Sequence, residues 1–224
     1  MASQEGRRLL LFVRHPEKGR VKTRLARAIG AEEASDFYRC LVADSLALAR
    51  RAGYPTLIFL YPPKGLEKAS EWLGIEFPCL AQKGRDLGER MYGAFKTAFL
   101  DCEEALLIGS DIPDLPLPLL QEAFESLKTH GAVIGPAKDG GYYLIGFSAR
   151  TILAAPFIGV EWGSPTVFGQ TIGTLRNNGL AVHVLPAWRD VDEYADLETF
   201  FDAHRDLPDG ELATIDFLRS RFHW

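Results

Sequence analysis

The chain has 224 residues, of which 47% are hydrophobic and 25% are charged, so it can bury a full core and global disorder is excluded. With 25 Lys and Arg against 30 Asp and Glu, its formal charge is −5, which is opposite in sign to what a nucleic-acid backbone attracts. The sequence has no apolar run of the roughly 18 residues that span a membrane, and residues 1–8 lack the apolar segment of a signal peptide. We therefore expect a cytoplasmic protein without a membrane span that does not bind nucleic acid.

Apolar runs and helical spacings alternate along the chain. Continuous apolar runs predict strands at residues 9–13, 56–61, 77–81 and 105–109. Shorter apolar segments predict further strands at residues 132–135, 142–147 and 181–185. Apolar residues at three- and four-residue spacing predict helices at residues 34–49, 66–73, 116–129 and 167–177. Asp86, with Glu89 at capping-box spacing, predicts the start of another helix, and the tail from residue 193 is predicted to be helical with a break near Pro208.

This alternation predicts an α/β fold whose sheet is mostly parallel and covered by helices on both faces. The sequence shows no repeat, low-complexity stretch or linker, so we predict one domain over residues 1–224. An apolar helix face has the same sequence pattern whether it packs in a core or in an oligomer interface, so the sequence leaves the oligomeric state open. In such sheets, ligands bind beyond the carboxyl ends of the strands, and the loops at those ends are the candidates for function.

The charges are distributed unevenly along the chain. Residues 7–27 hold eight Lys and Arg against a single Glu, whereas residues 186–216 hold ten Asp and Glu against two Arg. The first stretch is suited to an anion. The second is suited to a cation or to a solvated acidic surface.

The loop after the first strand carries the candidates for phosphate binding. Gly19 permits close approach of the backbone, a helix start follows, and Arg14, Lys22 and Arg24 supply positive charge. The loop matches neither the Walker A pattern nor the pattern G-x-G-x-x-G, and a solvated basic turn is the alternative. Its place at the carboxyl end of the first strand favours phosphate binding.

A carboxylate follows the fourth strand at the same edge of the sheet. Pro113 prevents the strand from continuing, which leaves Asp111 in the expected ligand crevice. We interpret Asp111 as a ligand of a hard cation; turn formation or helix capping is the alternative. Capping explains Asp114 well, because this residue precedes a predicted helix.

A third loop covers residues 135–143. Its Asp139-Gly140-Gly141 sequence is typical of an ordinary turn between two strands. If the next strand begins at Tyr142, then Tyr142 and Tyr143 point to opposite faces of the sheet. One of the two rings can then line a pocket while the other packs in the core.

The fourth loop contains Asp190 and Asp192, which lie on one side of an extended segment. Two carboxylates about 4 Å apart repel each other by about 4 kcal/mol at an effective dielectric constant of 20, and a divalent cation would turn that repulsion into binding. A helix N-terminus that accommodates Asp192 or Glu193 is the alternative. No histidine pair has metal-ligand spacing, and no serine or cysteine lies in a recognisable nucleophile motif, so covalent catalysis has no support.

Taken together and in order, five segments resemble the GT-A nucleotide-diphospho-sugar transferase superfamily. The likeness is strongest to a bacterial, glycosyltransferase-like branch of largely unassigned function, and it extends to the 2-phospho-L-lactate and molybdenum-cofactor guanylyltransferases. The segments that carry it are residues 19–26, 86–91, 108–113, 135–146 and 190–192.

This resemblance implies a Rossmann-like GT-A fold that binds a nucleotide over its first loop and holds Mg²⁺ or Mn²⁺. Carried onto this sequence, it implies Asp111 as a metal ligand, with Asp192 as the second ligand and Asp190 as the alternative. It also implies Lys22 and Arg24 as the cations that bind phosphate. The acceptor side would be the loop that holds Asp139, Gly140, Gly141 and Tyr142.

One position departs from the pattern of this branch, which usually has a lysine after the first strand. Arg14 stands there in this chain. Its forked guanidinium still neutralises phosphate.

The functional hypothesis is a metal-dependent transferase that takes a nucleoside diphosphate sugar and a small-molecule acceptor. Asp111 would act in catalysis through the metal, and Asp139 as general base for the acceptor hydroxyl. One alternative is a nucleotidyltransferase that releases pyrophosphate, which would use the same metal and cations. A second alternative is a partner protein that binds nucleotides without turnover.

Overall fold

A computed structural model of the chain describes residues 6–74 and 76–222. Within them lie seven strands: β1 (Arg7–Arg14), β2 (Thr56–Tyr61), β3 (Cys79–Ala81), β4 (Glu104–Ile108), β5 (Ala132–Pro136), β6 (Tyr142–Ser148) and β7 (Val182–Val184). The α-helices are α1 (Ala26–Ile29), α2 (Ala31–Ala52), α3 (Ala69–Leu73), α4 (Leu87–Ala98), α5 (Leu117–Ser126), α6 (Val167–Asn177), α7 (Tyr194–His204) and α8 (Ala213–Arg221). Short 3-10 helices cover Pro63–Lys68 and Ala155–Phe157.

The strands form one sheet in the order β3-β2-β1-β4-β6-β5-β7. Four of the neighbouring pairs are parallel, and β6 runs antiparallel to both β4 and β5. The predicted mostly parallel, mixed sheet is therefore confirmed. No helix among the described residues is both long and apolar enough to cross a membrane.

Side chains of β1 alternate between two separate cores, as the period of two residues in a strand requires. Leu9, Leu11 and Val13 pack beneath α2, α5, α7 and α8 on one face of the sheet. Leu10 and Phe12 pack beneath α4 and α6 on the other face. Every one of these five side chains is buried, so the continuous apolar run reflects a strand that is covered on both faces.

The predicted element boundaries agree with the structure to different degrees. Residues 56–61 and 167–177 match β2 and α6, and Asp86 caps α4 by accepting a hydrogen bond from the backbone N–H of Glu89 at 2.8 Å. The predicted helix over residues 66–73 consists of a 3-10 turn followed by the five residues of α3. Residues 1–5, which belong to the segment predicted to lack a signal peptide, lie outside the described residues.

The expectation that Asp114 caps the following helix is wrong. Helix α5 begins after Pro116, which has no side chain that can cap it, and Pro118 fits the first turn because its missing N–H has no helical partner there. The carboxylate of Asp114 instead accepts a hydrogen bond from the indole Nε1–H of Trp188 at 3.0 Å and lies 3.3 Å from Nε2 of His204. Asp114 thus holds the last loop and α7 against the start of α5.

Candidate active site

The candidate residues lie where the order of the strands reverses. Strand β2 lies on one side of β1 and β4 lies on the other, and all three run parallel. Loops that follow β1 and β4 therefore diverge at their carboxyl ends, which opens a crevice for ligands. Lys22 lies on the first of these loops and Asp111 on the second, and both face this crevice.

The ammonium group of Lys22 lies between two carboxylates from distant parts of the chain. Its Nζ is 2.6 Å from Oδ1 of Asp111 and 2.6 Å from Oδ1 of Asp192. The Lys22 side chain is only 3% exposed, whereas those of Asp111 and Asp192 are 46% and 38% exposed. The lysine therefore approaches from the protein side, and the carboxylates keep an open side towards solvent.

These charges determine one another's ionisation. Burial alone would lower the pKa of Lys22, but the negative charges of Asp111 and Asp192 outweigh burial and raise it. Burial of Asp192 opposes its ionisation, yet the charge of Lys22 and its hydrogen bond outweigh burial and lower the pKa of that carboxyl. At neutral pH Lys22 is therefore an ammonium and Asp192 a carboxylate.

The backbone around Lys22 is anchored by apolar neighbours. Val21 and Leu25 are buried in the core beneath α2, and the carbonyl of Lys22 accepts a hydrogen bond from Ala26 at 2.8 Å, which begins α1. Lys22 has a φ of +45°, and among the described non-glycine residues it alone has a positive φ. A left-handed conformation costs an L-residue roughly 1–2 kcal/mol, so the surrounding contacts hold the lysine in place against local strain.

A second polar contact joins the two loops. The phenol oxygen of Tyr38, on α2, accepts a hydrogen bond from the backbone N–H of Arg14 at 2.8 Å and shares another with the hydroxyl of Ser110 at 2.9 Å. Burial, with the nearby charge of Asp111, raises the pKa of Tyr38 to about 12. Tyr38 is therefore a neutral phenol that holds the end of β1 beside the end of β4.

The segment after β7 that carries Asp190 and Asp192 is held beside Asp111 by a backbone hydrogen bond. Val191 is buried and donates its N–H to the carbonyl of Asp111 at 3.2 Å, which directs the neighbouring Asp192 towards Lys22. Glu193 forms a capping box with Asp196 at the start of α7, so the helix-terminus alternative holds for Glu193. Burial, together with the charges of Asp139 and Asp192, raises the pKa of Asp190 to about 6.

The third loop forms a tight turn at the edge of the crevice. Oδ1 of Asp139 accepts a hydrogen bond from the N–H of Gly141 at 2.8 Å. Gly140 has a φ of +93°, and a Cβ built there would lie 2.2 Å from the carbonyl oxygen of Pro165, so only glycine fits. Tyr142 and Tyr143 face opposite cores, as predicted: Tyr142 contacts Met91, and Tyr143 packs beneath α5.

Two cavities meet at this crevice. The smaller, of about 290 Å³, is lined mainly by charged side chains, including Arg20, Lys22, Arg24 and Asp192. The larger, of about 460 Å³, has an aromatic and polar lining. Three residues line both cavities: Arg14, Tyr38 and Asp111.

The larger cavity contains some of the predicted acceptor-side residues and others that sequence reasoning missed. Asp139, Gly141 and Tyr142 line it, whereas Gly140 does not, and Gly19 lines neither cavity. The missed lining residues with polar groups include Tyr61, Gln82, Arg90 and Trp162.

Arg90 is the missed residue with the most distinctive environment. Its guanidinium lies over the ring of Tyr61, 4.3 Å from the centroid, and that of Arg14 lies 5.8 Å from the same centroid. None of the carboxylates that the structure describes forms a salt bridge with either arginine. One aromatic ring therefore carries two unneutralised cations at the wall of the larger cavity.

Within residues 6–74 and 76–222, no group of three or more His, Cys, Asp or Glu side chains is arranged to hold a metal ion by itself. The three cysteines are free thiols. A cation at Asp111 and Asp192 would need ligands besides these two carboxylates.

Residues 45–164, slightly more than half of the chain, match the model of a family described as "Uncharacterized protein conserved in bacteria (DUF2064)". The chain belongs to this family. No curated protein matches it. The family description assigns no activity, so information on function comes from solved structures.

One solved structure is similar over nearly the whole chain. It is the crystal structure of a "putative nucleotide-diphospho-sugar transferase" from Desulfovibrio desulfuricans G20, which is 39% identical, with a TM-score of 0.91, over 96% of this chain and 95% of the other. The predicted resemblance to this superfamily and the Rossmann-like fold are therefore confirmed. This DUF2064 member is an enzyme of the transferase class.

More distant structures share the fold alone. The 4-diphosphocytidyl-2C-methyl-D-erythritol synthase from Anaerococcus prevotii DSM 20548 is 11% identical, with a TM-score of 0.61, over 90% of this chain and 96% of its own. Rv0371c from Mycobacterium tuberculosis H37Rv, solved as a complex with manganese, is 14% identical, with a TM-score of 0.54, over 89% and 99%.

Proposed function

We propose that this transferase uses a nucleoside diphosphate sugar as donor, depends on a divalent cation, and transfers the sugar to a small-molecule acceptor. The observation that carries the proposal is the position of Asp111, which lines both cavities and contacts the same positive centre as Asp192. A diphosphate in the smaller cavity and a sugar in the larger one would meet at this residue. The name of the 39% identical relative supports the same class of donor.

The smaller cavity supports binding of the diphosphate. Arg14, Arg20 and Arg24 line it together with Lys22, and arginine forks match phosphate oxygens in pairs. Arg24 is 58% exposed, and its only described carboxylate partner, Glu193, lies 3.6 Å away. An exposed pair of that length contributes little, so Arg24 is available to a ligand.

Asp111 and Asp192 fit a hard divalent cation. Both already place an oxygen 2.6 Å from one positive group, the ammonium of Lys22, and carboxylates are oxygen ligands of the kind that Mg²⁺ and Mn²⁺ prefer. Mg²⁺ commonly takes one or two carboxylates together with phosphate oxygens and waters, which agrees with a site that is incomplete without nucleotide. A bound cation would neutralise negative charge on the leaving phosphate.

Residues of the larger cavity would receive the acceptor. Asp139 is exposed at its edge, and Gly141 and Tyr142 continue the same wall. Asp139 is our candidate for the general base that takes the proton of an attacking hydroxyl. One of its oxygens accepts the Gly141 N–H, which orients the carboxylate and leaves its second oxygen for an acceptor.

Nucleotidyl transfer is the second candidate. In that reaction an acceptor phosphate attacks a nucleoside triphosphate and pyrophosphate leaves, and the cations of the smaller cavity would serve it equally. The observation in its favour is the pair of unneutralised arginines, Arg14 and Arg90, over Tyr61, because such a pair suits a phosphorylated acceptor.

Product analysis tests both candidates. The full chain is incubated with Mn²⁺, a panel of sugar nucleotides or nucleoside triphosphates, and pooled small hydroxylated or phosphorylated acceptors. We expect release of nucleoside diphosphate from a sugar nucleotide. Pyrophosphate from a triphosphate would instead select the second candidate, and absence of both products with every nucleotide would contradict the assignment of this site.

A further inference from the structure

The position of Lys22 restricts how a metal can enter the site. The ammonium contacts both predicted metal ligands at 2.6 Å, so it occupies the place where the two carboxylates converge. Because both contacts have this length, the two carboxylate oxygens lie within twice that distance of each other. A cation that takes the place where these two oxygens converge would have to displace the lysine.

The lysine is held there firmly. Its side chain is 3% exposed, its φ is +45°, and buried Val21 and Leu25 fix the segment on either side. A residue keeps a strained conformation only where its surroundings over-determine it. The two ion pairs are such a determinant, because removing the partners of a buried charge leaves it uncompensated.

Counting charges shows when displacement is favourable. One ammonium and two carboxylates carry a net charge of −1, and a divalent cation alone would change this to +1 while leaving the buried ammonium beside a dication. A diphosphate diester, such as a nucleoside diphosphate sugar, carries two negative charges, so adding it with the metal restores −1. The ammonium then has phosphate oxygens as new partners on the side of the smaller cavity, which Lys22 also lines.

We infer that Lys22 is the resident cation of the Asp111–Asp192 pair, and that it excludes free divalent cations until a phosphate-bearing ligand offers the ammonium a new partner. This inference rests on the proposed function, which supplies the metal and the diphosphate. Before phosphate binds, Lys22 would thus have a positioning role, in which it holds Asp111 and Asp192 together. The metal and the nucleotide therefore bind with strong positive coupling.

The test measures Mn²⁺ binding without nucleotide, by electron paramagnetic resonance and calorimetry. Wild-type protein should bind Mn²⁺ weakly, and Lys22→Met should bind it at least about tenfold more tightly, because the variant leaves two carboxylates without a counter-charge. Lys22→Arg keeps the charge and should show no such gain. Lys18→Met is the matched control, since Lys18 lies on the same loop but is exposed and pairs with Glu32.

A second measurement does not depend on the folding of any variant. Saturating nucleoside diphosphate should tighten Mn²⁺ binding to the wild-type protein at least about tenfold, after correction for the Mn²⁺–nucleotide complex in solution. Equal Mn²⁺ affinity in wild-type and a folded Lys22→Met, or no effect of nucleotide on the wild-type protein, would overturn the inference.

The outcomes separate this inference from the proposed function. If donor turnover is observed but Lys22→Met gains no Mn²⁺ affinity, the resident-cation role fails and the proposed function stands. If Lys22→Met gains Mn²⁺ affinity but the wild-type enzyme turns over no sugar nucleotide, the proposed function fails and the role of Lys22 stands.

Discussion

Two of the polar contacts that join the N-terminal part of this chain to its C-terminal part each span 170 residues of sequence: Lys22 with Asp192, and Asp44 with Thr214. Asp44, in the middle of α2, accepts hydrogen bonds from the N–H groups of Ala213 and Thr214 and from the Thr214 hydroxyl, at 2.7–3.0 Å. Both Asp44 and Thr214 are buried.

The difference lies in how the charge is satisfied. The carboxylate of Asp44 receives three donors at the start of α8 and has no open side, so it serves to dock the helix. Asp111 and Asp192 share one ammonium and remain partly exposed at a cavity. Similar chemistry at similar sequence separation therefore gives a closed structural contact in one place and a contact that a ligand can exchange in the other.

The largest expected effect is on ligand binding at the exchangeable contact. Asp111→Asn removes one charge from the cation position while leaving the ion pair of Lys22 with Asp192. Even outer-sphere partners of a bound metal are worth about 10–100-fold in affinity or activity, so we expect metal-dependent nucleotide affinity to fall by at least about 100-fold. Calorimetry in Mg²⁺ measures this, with the thermal midpoint as the check on folding. Unchanged affinity would remove Asp111 from the site.

The next effect is on stability at the closed contact. Asp44→Asn sets an amide NH₂ against backbone donors and leaves buried N–H groups without an acceptor, which costs roughly 1–3 kcal/mol. Urea unfolding measures the loss, and nucleotide affinity should not change. Asp209→Asn is the control: this carboxylate is 95% exposed and, among the residues that the structure describes, pairs only with Arg219, so its loss should cost less than about 0.5 kcal/mol. A change in nucleotide affinity for Asp44→Asn would show that the two contacts are coupled.

The smallest effect concerns the exposed rim of the smaller cavity. Arg24→Ala removes one charge-assisted contact to phosphate, worth about 1.5–3 kcal/mol at most and less where solvent screens it. We expect roughly a three- to tenfold loss of affinity for nucleoside diphosphates and none for the bare nucleoside. Arg27→Ala, on exposed helix α1, should affect neither. Equal losses for nucleoside and diphosphate would argue that Arg24 does not contact phosphate.

Sequence reasoning predicted the elements best where the apolar pattern was strong. Strand β2 is apolar throughout and its limits match. Helix α2 extends three residues beyond the predicted 34–49 at each end. Those extensions contain Glu32, Glu33, Arg50 and Arg51, which carry no apolar signal, although their charges suit the helix dipole at the respective ends.

The site was predictable as a set of loops but not as a set of contacts. The rule that ligands bind at the carboxyl ends of strands brought Lys22, Asp111 and Asp192 to one edge of the sheet, and the structure places them there. Loop position does not decide which charges pair, so the position of the ammonium between the carboxylates had no sequence signal.

The missed residues differ in how they could have been found. The same strand-end rule points to Gln82, which directly follows β3. Arg90 lies on α4 among apolar and charged neighbours, and a helical arginine is typical of a solvated face. Only the packing of α4 against Tyr61 reveals it.

The Tyr38 phenol gives the crevice a mechanical property. A single oxygen holds both the backbone at the end of β1 and the hydroxyl after β4. It belongs to the buried ring of Tyr38 on α2. The anion-facing turn and the acidic turn are thereby both attached to helix α2. A displacement of either turn would therefore strain the hydrogen bond that Tyr38 makes with the other.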